Sequence, residues 1–329
     1  MTSYEDSTVT TIGQGAFAWC NSLQTVSFPA CTSIGNSAFY YCSNLQTVSF
    51  PSCTSIGSYA FSNCTNLTTA GFPNCTNIGN YAFYSCSSLQ TANFPACRNI
   101  GGSAFYNCSR LTSVSFPNCT SIGNDAFALC RSLQMASFPA CTSIGSGAFR
   151  NCSNLLVLSF PVCTSIGGSA FNYCSRLMTV SFPNCTNIDT CAFYYCSYII
   201  SVNFPSCTSI SAYAFNSCGN LERISFPNCT YIGNYAFGFC VDLETASFPK
   251  CEFISSCAFY SCRKLLSLYL TGSSVVSLHN SNAFTSTPIA GYTTSTGGVY
   301  GSIYVPSSLL TAYRSATNWS FFWSRLVTI

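Results

Sequence analysis

Cysteine is the residue type whose number and spacing could carry chemistry in this chain. The 329 residues include 25 cysteines, and 23 of these recur every 11 residues from Cys20 to Cys262. Cys191 and Cys257 lie off this spacing. Thiols can pair as disulfides, bind zinc or act as nucleophiles, and each of these chemistries needs its own arrangement.

Neither a zinc site nor an activated thiol is indicated by the sequence. Structural zinc sites use Cys-x-x-Cys pairs, which do not occur here, and the single histidine, His279, lies beyond the regular cysteine spacing. One histidine and eight carboxylates also leave few groups for acid–base chemistry. We therefore predict a protein that is not an enzyme, with no catalytic, metal-binding or cofactor-binding residues.

The regular spacing favours reduced cysteines packed in a core. Cysteines of one column would stack with parallel Cβ vectors, whereas a disulfide needs its two Cβ atoms turned toward each other. Buried cysteine also packs as a small hydrophobic side chain. A few disulfides remain the alternative. We expect Cys191 and Cys257 to be the most reactive thiols, because they occupy a variable position.

The charge balance excludes several classes of partner. Only 6% of residues are charged and the formal net charge is +3, whereas ordinary soluble domains carry about 25% charged residues. Without a cluster of Lys and Arg, we predict no nucleic-acid groove and no attachment to an anionic membrane. Polar residues interrupt each apolar run, so we also predict no membrane insertion.

The elements that place the cysteines belong to a 22-residue repeat. A Phe-Pro pair keeps this period from Phe28-Pro29 to Phe248-Pro249. An Ala-Phe pair recurs with the same period, with its phenylalanines at Phe17, Phe39, Phe61, Phe83, Phe105, Phe127, Phe149, Phe171, Phe193, Phe215, Phe237 and Phe259. Such units cannot bury their apolar faces alone, so stacked neighbours must share one core.

Each repeat divides into a strand half and a turn half. Leu23-x-x-Val26-x-Phe28 ends in the alternation typical of a strand. The Ala-Phe-x-x-Cys half is too short for a long helix, so we expect a helical turn or a 3₁₀ piece there. We expect the recurring glycine, Gly35 in the second repeat, to form a turn with positive φ.

The repeated motif Ser33-Ile34-Gly35-x-x-Ala38-Phe39-x-x-Cys42-x-x-Leu45 resembles the BspA-type leucine-rich repeats of bacterial surface proteins. The resemblance covers about residues 11–270 and implies a leucine-rich repeat solenoid. We expect about twelve 22-residue coils with a parallel sheet on one face and short turns or 3₁₀ pieces on the other. The resemblance also implies attachment to host or cell-surface macromolecules.

The two ends of the chain depart from the repeat. Residues 271–329 resemble the closing segment of repeat proteins from gut bacteria and their phages, and we expect them to cap the last coil. Residues 1–10 form either a lead or a weak cap. They lack the basic and hydrophobic regions of a secretory signal peptide. The sequence leaves the location of the protein open. It could be associated with the cell surface or with a virion, in either case through a longer assembly.

The sheet face offers a candidate binding patch. Two outward columns consist mainly of Gln, Thr and Ser, but apolar and charged residues interrupt them at Met135, Leu156, Val157, Met178, Ile200, Glu222, Arg223 and Glu244. Exposed apolar residues beside charges are a usual mark of an interaction site. Drift between repeats, or coverage by the C-terminal segment, would also explain the pattern.

Tyrosines mark a second surface on the turn half. They follow the Ala-Phe pair in several repeats, among them Tyr40, Tyr84 and Tyr106. Exposed tyrosines bind sugars or proteins with little loss of side-chain entropy. We favour packing between neighbouring coils as the simpler explanation.

The sequence therefore predicts a binding or adhesion module whose partner is a protein, a surface glycan or a second copy of the chain. A structural protein that assembles end to end into fibres or oligomers is the alternative, because a head-to-tail interface need not close.

Overall fold

The computed structural model describes residues 2–329, which form two compact units divided between Cys163 and Thr164. Both units are built from coils that contain one strand of three residues and one of two residues. The strands of the first unit are β1 (Ser3–Glu5), β2 (Thr11–Ile12), β3 (Thr25–Ser27), β4 (Ser33–Ile34), β5 (Thr47–Ser49), β6 (Ser55–Ile56), β7 (Thr69–Gly71), β8 (Asn77–Ile78), β9 (Thr91–Asn93), β10 (Asn99–Ile100), β11 (Ser113–Ser115), β12 (Ser121–Ile122), β13 (Met135–Ser137), β14 (Ser143–Ile144) and β15 (Val157–Ser159).

The second unit repeats the same two kinds of strand and ends in a segment that also contains helices. Its strands are β16 (Ser165–Ile166), β17 (Thr179–Ser181), β18 (Asn187–Ile188), β19 (Ser201–Asn203), β20 (Ser209–Ile210), β21 (Arg223–Ser225), β22 (Tyr231–Ile232), β23 (Thr245–Ser247), β24 (Phe253–Ile254), β25 (Ser267–Tyr269), β26 (Ser277–Leu278), β27 (Ser302–Val305) and β28 (Leu326–Thr328). Its helices are α1 (Leu310–Ser315) and the 3₁₀ segments Ser281–Phe284, Thr294–Thr296, Ser307–Leu309 and Trp319–Arg325.

Every strand pair within a unit is parallel, and the register advances by 22 residues per coil through the repeats. Thr25 pairs with Thr47, and Ile34 pairs with Ile56. The two-residue strands were not expected from the sequence, because two residues are too few to show a period. They align in chain order in each unit, from β2 to β14 and from β16 to β26.

The number of coils is larger than expected. Twelve three-residue strands, β3 to β25, repeat every 22 residues as predicted, but β1 adds one turn before them and β27 and β28 add two after them. The solenoid therefore has about 15 turns. In the C-terminal segment, the buried indole of Trp319 donates a hydrogen bond from Nε1 to the Val276 carbonyl at 2.7 Å.

The turn half is held by backbone hydrogen bonds between coils. The Phe61 N–H, for example, donates to the Ala82 carbonyl at 2.7 Å. Two residues per coil adopt the left-handed region in most repeats, such as Tyr59 at φ 58° and Asn63 at φ 61°. These bends let a segment of a few residues reverse direction without forming a helix.

The predicted positive φ at the recurring glycine is wrong. Gly35 and its equivalent Gly123 are absent from the positive-φ residues of the described chain. Glycine is needed there because coils approach closely: a Cβ on Gly123 would lie 2.6 Å from backbone atoms of Gly101 and Gly102. A side chain at position 123 would force these backbone atoms apart, whereas three later coils accommodate Asp189, Ser211 and Ser255 at the equivalent position.

Phenylalanine ladders and cysteine columns fill the interior. Phe61 and Phe83 stack with ring centroids 5.2 Å apart, and Phe50 meets Phe61 edge-on at 6.2 Å. The Cys64 Sγ lies 3.2 Å from the Phe39 carbonyl, to which the thiol donates. Burial raises the pKa of the Cys53 thiol to about 12, so this thiol stays protonated at neutral pH. The cysteine ladder is confirmed, with buried cysteines every 11 residues through the repeats.

Thiol accessibility differs from the prediction. Cys257 is buried and Cys191 is half-buried, whereas the exposed thiol belongs to Cys20 in the first regular coil. Cys20 lies on the 11-residue spacing, but no earlier Ala-Phe-x-x-Cys segment covers it among the described residues. The place of a coil within the solenoid decides whether its cysteine is exposed. The 11-residue spacing of the cysteines does not reveal this.

Candidate partner-binding surface

Strand alternation decides which side chains of the sheet face reach solvent. In β11, Val114 is buried while Ser113 and Ser115 on either side are exposed. The residue just before each three-residue strand is also outward in most coils, as Gln24 is. The two columns identified in the sequence therefore lie on the solvent side of the sheet.

The first unit brings three of the predicted residues together. Met135 and Val157 are direct partners in the β13–β15 register, and their side chains are 49% and 50% exposed. Leu156 is half-buried, and its N–H donates to the Gln134 carbonyl at 2.9 Å. The result is an exposed apolar pair on two adjacent strands.

The second unit carries a similar apolar pair. Met178 and Ile200 precede β17 and β19, and both side chains are 48% exposed. The Ile200 N–H donates to the Met178 carbonyl at 2.9 Å, which places the two residues on neighbouring coils. Tyr198, which the sequence reasoning missed, is 57% exposed two residues before Ile200. An aromatic residue two places before an outward apolar position was the available signal.

The predicted charged residues lie on the coils that follow in the second unit. The Glu244 N–H donates to the Glu222 carbonyl at 2.8 Å, so these residues occupy adjacent coils. Arg223 approaches the Glu244 carboxylate at 3.7 Å. Because the Arg223 side chain is 72% exposed, this pair gives little stability and remains available to a partner.

These exposures argue against coverage by the C-terminal segment. In the second unit, Met178 and Ile200 remain about half exposed with residues 271–329 in place, and in the first unit Met135 and Val157 are exposed to a similar degree. Their side chains are aliphatic or thioether, with no titratable group among the four. The surface is suited to apolar contact and not to bond-making chemistry.

Metal-binding groups and membrane-spanning helices also bear on the function of residues 2–329. No group of three or more His, Cys, Asp or Glu side chains in that range is arranged to hold a metal ion. No helix within it has the length and apolar character needed to cross a bilayer.

Comparison with known proteins then places the chain in a family. Residues 4–97, 76–200 and 164–290 match the sequence model of the BspA type leucine rich repeat region. The chain belongs to the BspA-type leucine-rich repeat family. The predicted resemblance is confirmed, and the 22-residue coils are BspA-type repeats. No curated protein matches the chain by sequence.

Solved structures support the fold of this BspA-type chain. A leucine-rich repeat protein from Bacteroides ovatus has a TM-score of 0.68 at 22% identity, with 98% of this chain and 88% of that one covered. A leucine rich cell surface protein from Faecalibacterium prausnitzii gives 0.51 at 25% identity, with 87% and 85% covered. The pneumococcal vaccine antigen PcpA gives 0.52 at 16% identity, with 99% and 87% covered.

Proposed function

We propose that this chain is a non-enzymatic binding module whose outward sheet face attaches to a macromolecule on a cell surface. The observation that carries the proposal is the exposed apolar pair in each unit, Met135 with Val157 and Met178 with Ile200. Elsewhere these columns hold mainly Gln, Thr and Ser. When a partner covers such apolar area, its removal from water contributes about 25 cal/mol of favourable free energy per Å².

The surroundings of the pairs favour a protein partner. Protein interfaces combine an apolar centre with a polar rim, and a few side chains supply most of the free energy. In the second unit, Arg223, Glu222 and Glu244 supply both signs of charge beside the apolar pair. A rim that carries both positive and negative charge selects the orientation of a partner more than it adds affinity.

The relatives support a location outside the cell. The Faecalibacterium prausnitzii structure is described as a leucine rich cell surface protein. We extend that location to this chain as part of the proposal, together with the domain boundaries of a lead over 1–10, a solenoid over 11–270 and a cap over 271–329.

Retention of the fluorescent chain on epithelial monolayers tests the proposal. The test variant carries Met135→Thr, Val157→Thr, Met178→Thr and Ile200→Thr, since threonine suits a strand but removes the apolar surface. The control replaces Gln24, Gln46, Gln90 and Gln134, which lie in the outward column of Met178 and Ile200, with Thr.

We expect the test variant to be retained about tenfold less than the wild type, as loss of interface anchors predicts. The control should match the wild type, and trypsin treatment of the cells should remove the retention of both. Equal retention of the test variant and the wild type would rule out the sheet face as the binding surface.

End-to-end assembly is the second candidate, and it rests on a different observation. Ala16 and Cys20 of the first regular coil are exposed and Phe17 is partly so, whereas the same positions are buried in the next coil. Tyr4 of β1 covers only one side of this end, with its ring 5.6 Å from Phe17.

Light scattering on size-exclusion fractions under reducing conditions distinguishes the candidates. A 35.4 kDa particle at every concentration excludes assembly, and a concentration-dependent series of masses supports it.

A further inference from the structure

An open cleft of about 470 Å³ lies on the turn half of the first unit, away from the strand residues of the sheet face. Its lining combines one aromatic ring, small residues and polar side chains, namely Asn80, Tyr81, Gly102, Ser103, Gly123, Asn124 and Asp125. The volume falls within the range of small-molecule sites.

The aromatic wall of the cleft is the end of a tyrosine stack. Tyr59 and Tyr81 occupy the same position in consecutive coils, and their rings stack 4.7 Å apart at an interplanar angle of 4°. The next coil has Ser103 at this position, so the stack stops. Tyr81 therefore borders the cleft without a stacked ring from the following coil, and the ring of Tyr84 in its own coil lies 5.7 Å away, tilted by 55°.

Two asparagines present fixed donors to the same cleft. The Asn80 Oδ1 accepts the Gly102 N–H at 2.7 Å, and the Asn124 Oδ1 accepts the Ser146 N–H at 2.9 Å. These bonds fix both amide planes. The two Nδ2 groups have no protein partner within residues 2–329, so each keeps two donors for a ligand.

The remaining polar wall has little net charge. The Asp125 Oδ1 accepts hydrogen bonds from Nε and Nη2 of Arg150 at 3.2 and 3.0 Å. The second carboxylate oxygen, Oδ2, keeps its acceptor capacity for a hydroxyl group. Because Arg150 balances the Asp125 charge, a neutral ligand suits the cleft better than an ion.

We propose that this cleft binds one residue of a neutral glycan, with a sugar ring against the open face of Tyr81. Pyranose rings present a face of weakly positive C–H groups, which suits the negative face of an aromatic ring. Their hydroxyls accept from the Asn80 and Asn124 amides and donate to the Asp125 Oδ2. This site is separate from the sheet face and does not rest on its proposed function.

The second unit provides a comparison 154 residues, or seven repeats, further along the chain. Tyr213 and Tyr235 there form an equivalent stack at 5.2 Å. The Tyr235 hydroxyl, however, hydrogen-bonds to Cys257. The pairing of Ile254 with Leu278 places Asn280 and Ser281 where the first unit has Asn124 and Asp125, and the Asn280 Nδ2 donates to the Ser256 Oγ at 2.8 Å. Tyr235 therefore serves as a matched tyrosine beside which the carboxylate is missing and the asparagine amide is already paired.

Saturation-transfer NMR with maltotriose, cellotriose and triacetylchitotriose tests the proposal on the 329-residue chain. The decisive variant is Ser103→Tyr, because tyrosine is tolerated at this position in the two preceding coils and its ring would fill the cleft. We expect at least one trisaccharide to bind the wild type, and Ser103→Tyr to weaken that binding about tenfold or more. Tyr81→Ser should weaken it to a similar degree.

Three controls distinguish a loss of sugar binding from a loss of folding. Ser169→Tyr places the same side chain at the same repeat position in the second unit, at φ 58°, and should leave the affinity unchanged. Tyr235→Ser should also leave it unchanged, and circular dichroism should show every variant folded. Absence of saturation transfer from all three sugars to the wild type, or equal binding by Ser103→Tyr, overturns the proposal.

Discussion

Gly123 and Gly71 illustrate two different roles of glycine within the first unit. A Cβ on Gly123 would meet the backbone of the preceding coil at 2.6 Å, whereas a Cβ on Gly71 would have nothing within 4 Å. Neither residue has a positive φ. Coil spacing therefore requires glycine at position 123, and no steric reason requires it at position 71.

Substitution of these two glycines tests the role of close approach. We expect Gly123→Ala to lower the free energy of unfolding by about 1–3 kcal/mol, because backbone atoms must separate to admit the methyl group. Gly71→Ala should be neutral or stabilising by up to about 1 kcal/mol, since it reduces the freedom of the unfolded chain. Urea titrations compare the two variants. Equal effects would show that coil approach does not select glycine.

At the scale of the element, the turn half depends on residues in the left-handed region. Asn63, Asn107 and Asn151 occupy this conformation in their coils, and asparagine adopts it readily. Leu129 holds the same place in another coil at φ 62°. A leucine in this conformation costs about 1–2 kcal/mol, and the packing of the neighbouring coils compensates for it.

Replacement of Leu129 tests this cost. We expect Leu129→Asn to raise the free energy of unfolding by up to about 1 kcal/mol, because asparagine is the residue found in the equivalent coils. Leu129→Val should lower it, since a branched Cβ fits the left-handed region poorly. Thermal unfolding followed by circular dichroism measures both changes. Stabilisation by valine would contradict the account of the turn.

Sequence patterns predicted some elements well and others not at all. The alternation around Val26 located the three-residue strand, and the same alternation placed Met135 and Val157 on the solvent side. The two-residue strands show no period, and the turn uses tyrosine, serine and leucine in a conformation that usually indicates glycine or asparagine. Local sequence therefore predicted the sheet face but not the geometry of the turn.

The saccharide cleft was missed for a related reason. It arises where Ser103 follows Tyr59 and Tyr81 at intervals of 22 residues, so its signal lies in the comparison of coils and not in a local motif. Its asparagine donors are fixed by N–H groups of the following coil. The column of turn positions Tyr59, Tyr81 and Ser103 carries the signal of the interrupted tyrosine stack.

At the scale of the whole molecule, the buried thiols make stability depend on pH. Burial raises the pKa of Cys75 to about 11 and that of Cys53 to about 12, from an ordinary value of 9.0. Above pH 9 the unfolded chain loses protons that the folded chain retains. The stability that these thiols contribute is therefore complete below pH 9 and is lost as the pH rises through the folded pKa.

We expect the free energy of unfolding to fall steeply between pH 9 and 11 under reducing conditions. A thiol with a pKa raised as far as that of Cys75 lowers the free energy of unfolding by about 1.4 kcal/mol per pH unit in this window, and Cys75→Ala should reduce the slope by about that amount. Urea titrations at several pH values measure it. A slope that is unchanged in Cys75→Ala would show that this thiol ionises as easily in the folded chain as in the unfolded chain.

The central claim is that the exposed apolar pairs of the sheet face are the binding surface. Met135 and Met178 report on it directly, because each is about half exposed and belongs to one pair. Peroxide oxidation of the chain, free and bound to epithelial cells, can be followed at each methionine by mass spectrometry. We predict that both methionines oxidise readily in the free chain and about tenfold more slowly in the bound chain, as expected for buried interface anchors. Equal oxidation rates in the free and bound chain would contradict the claim.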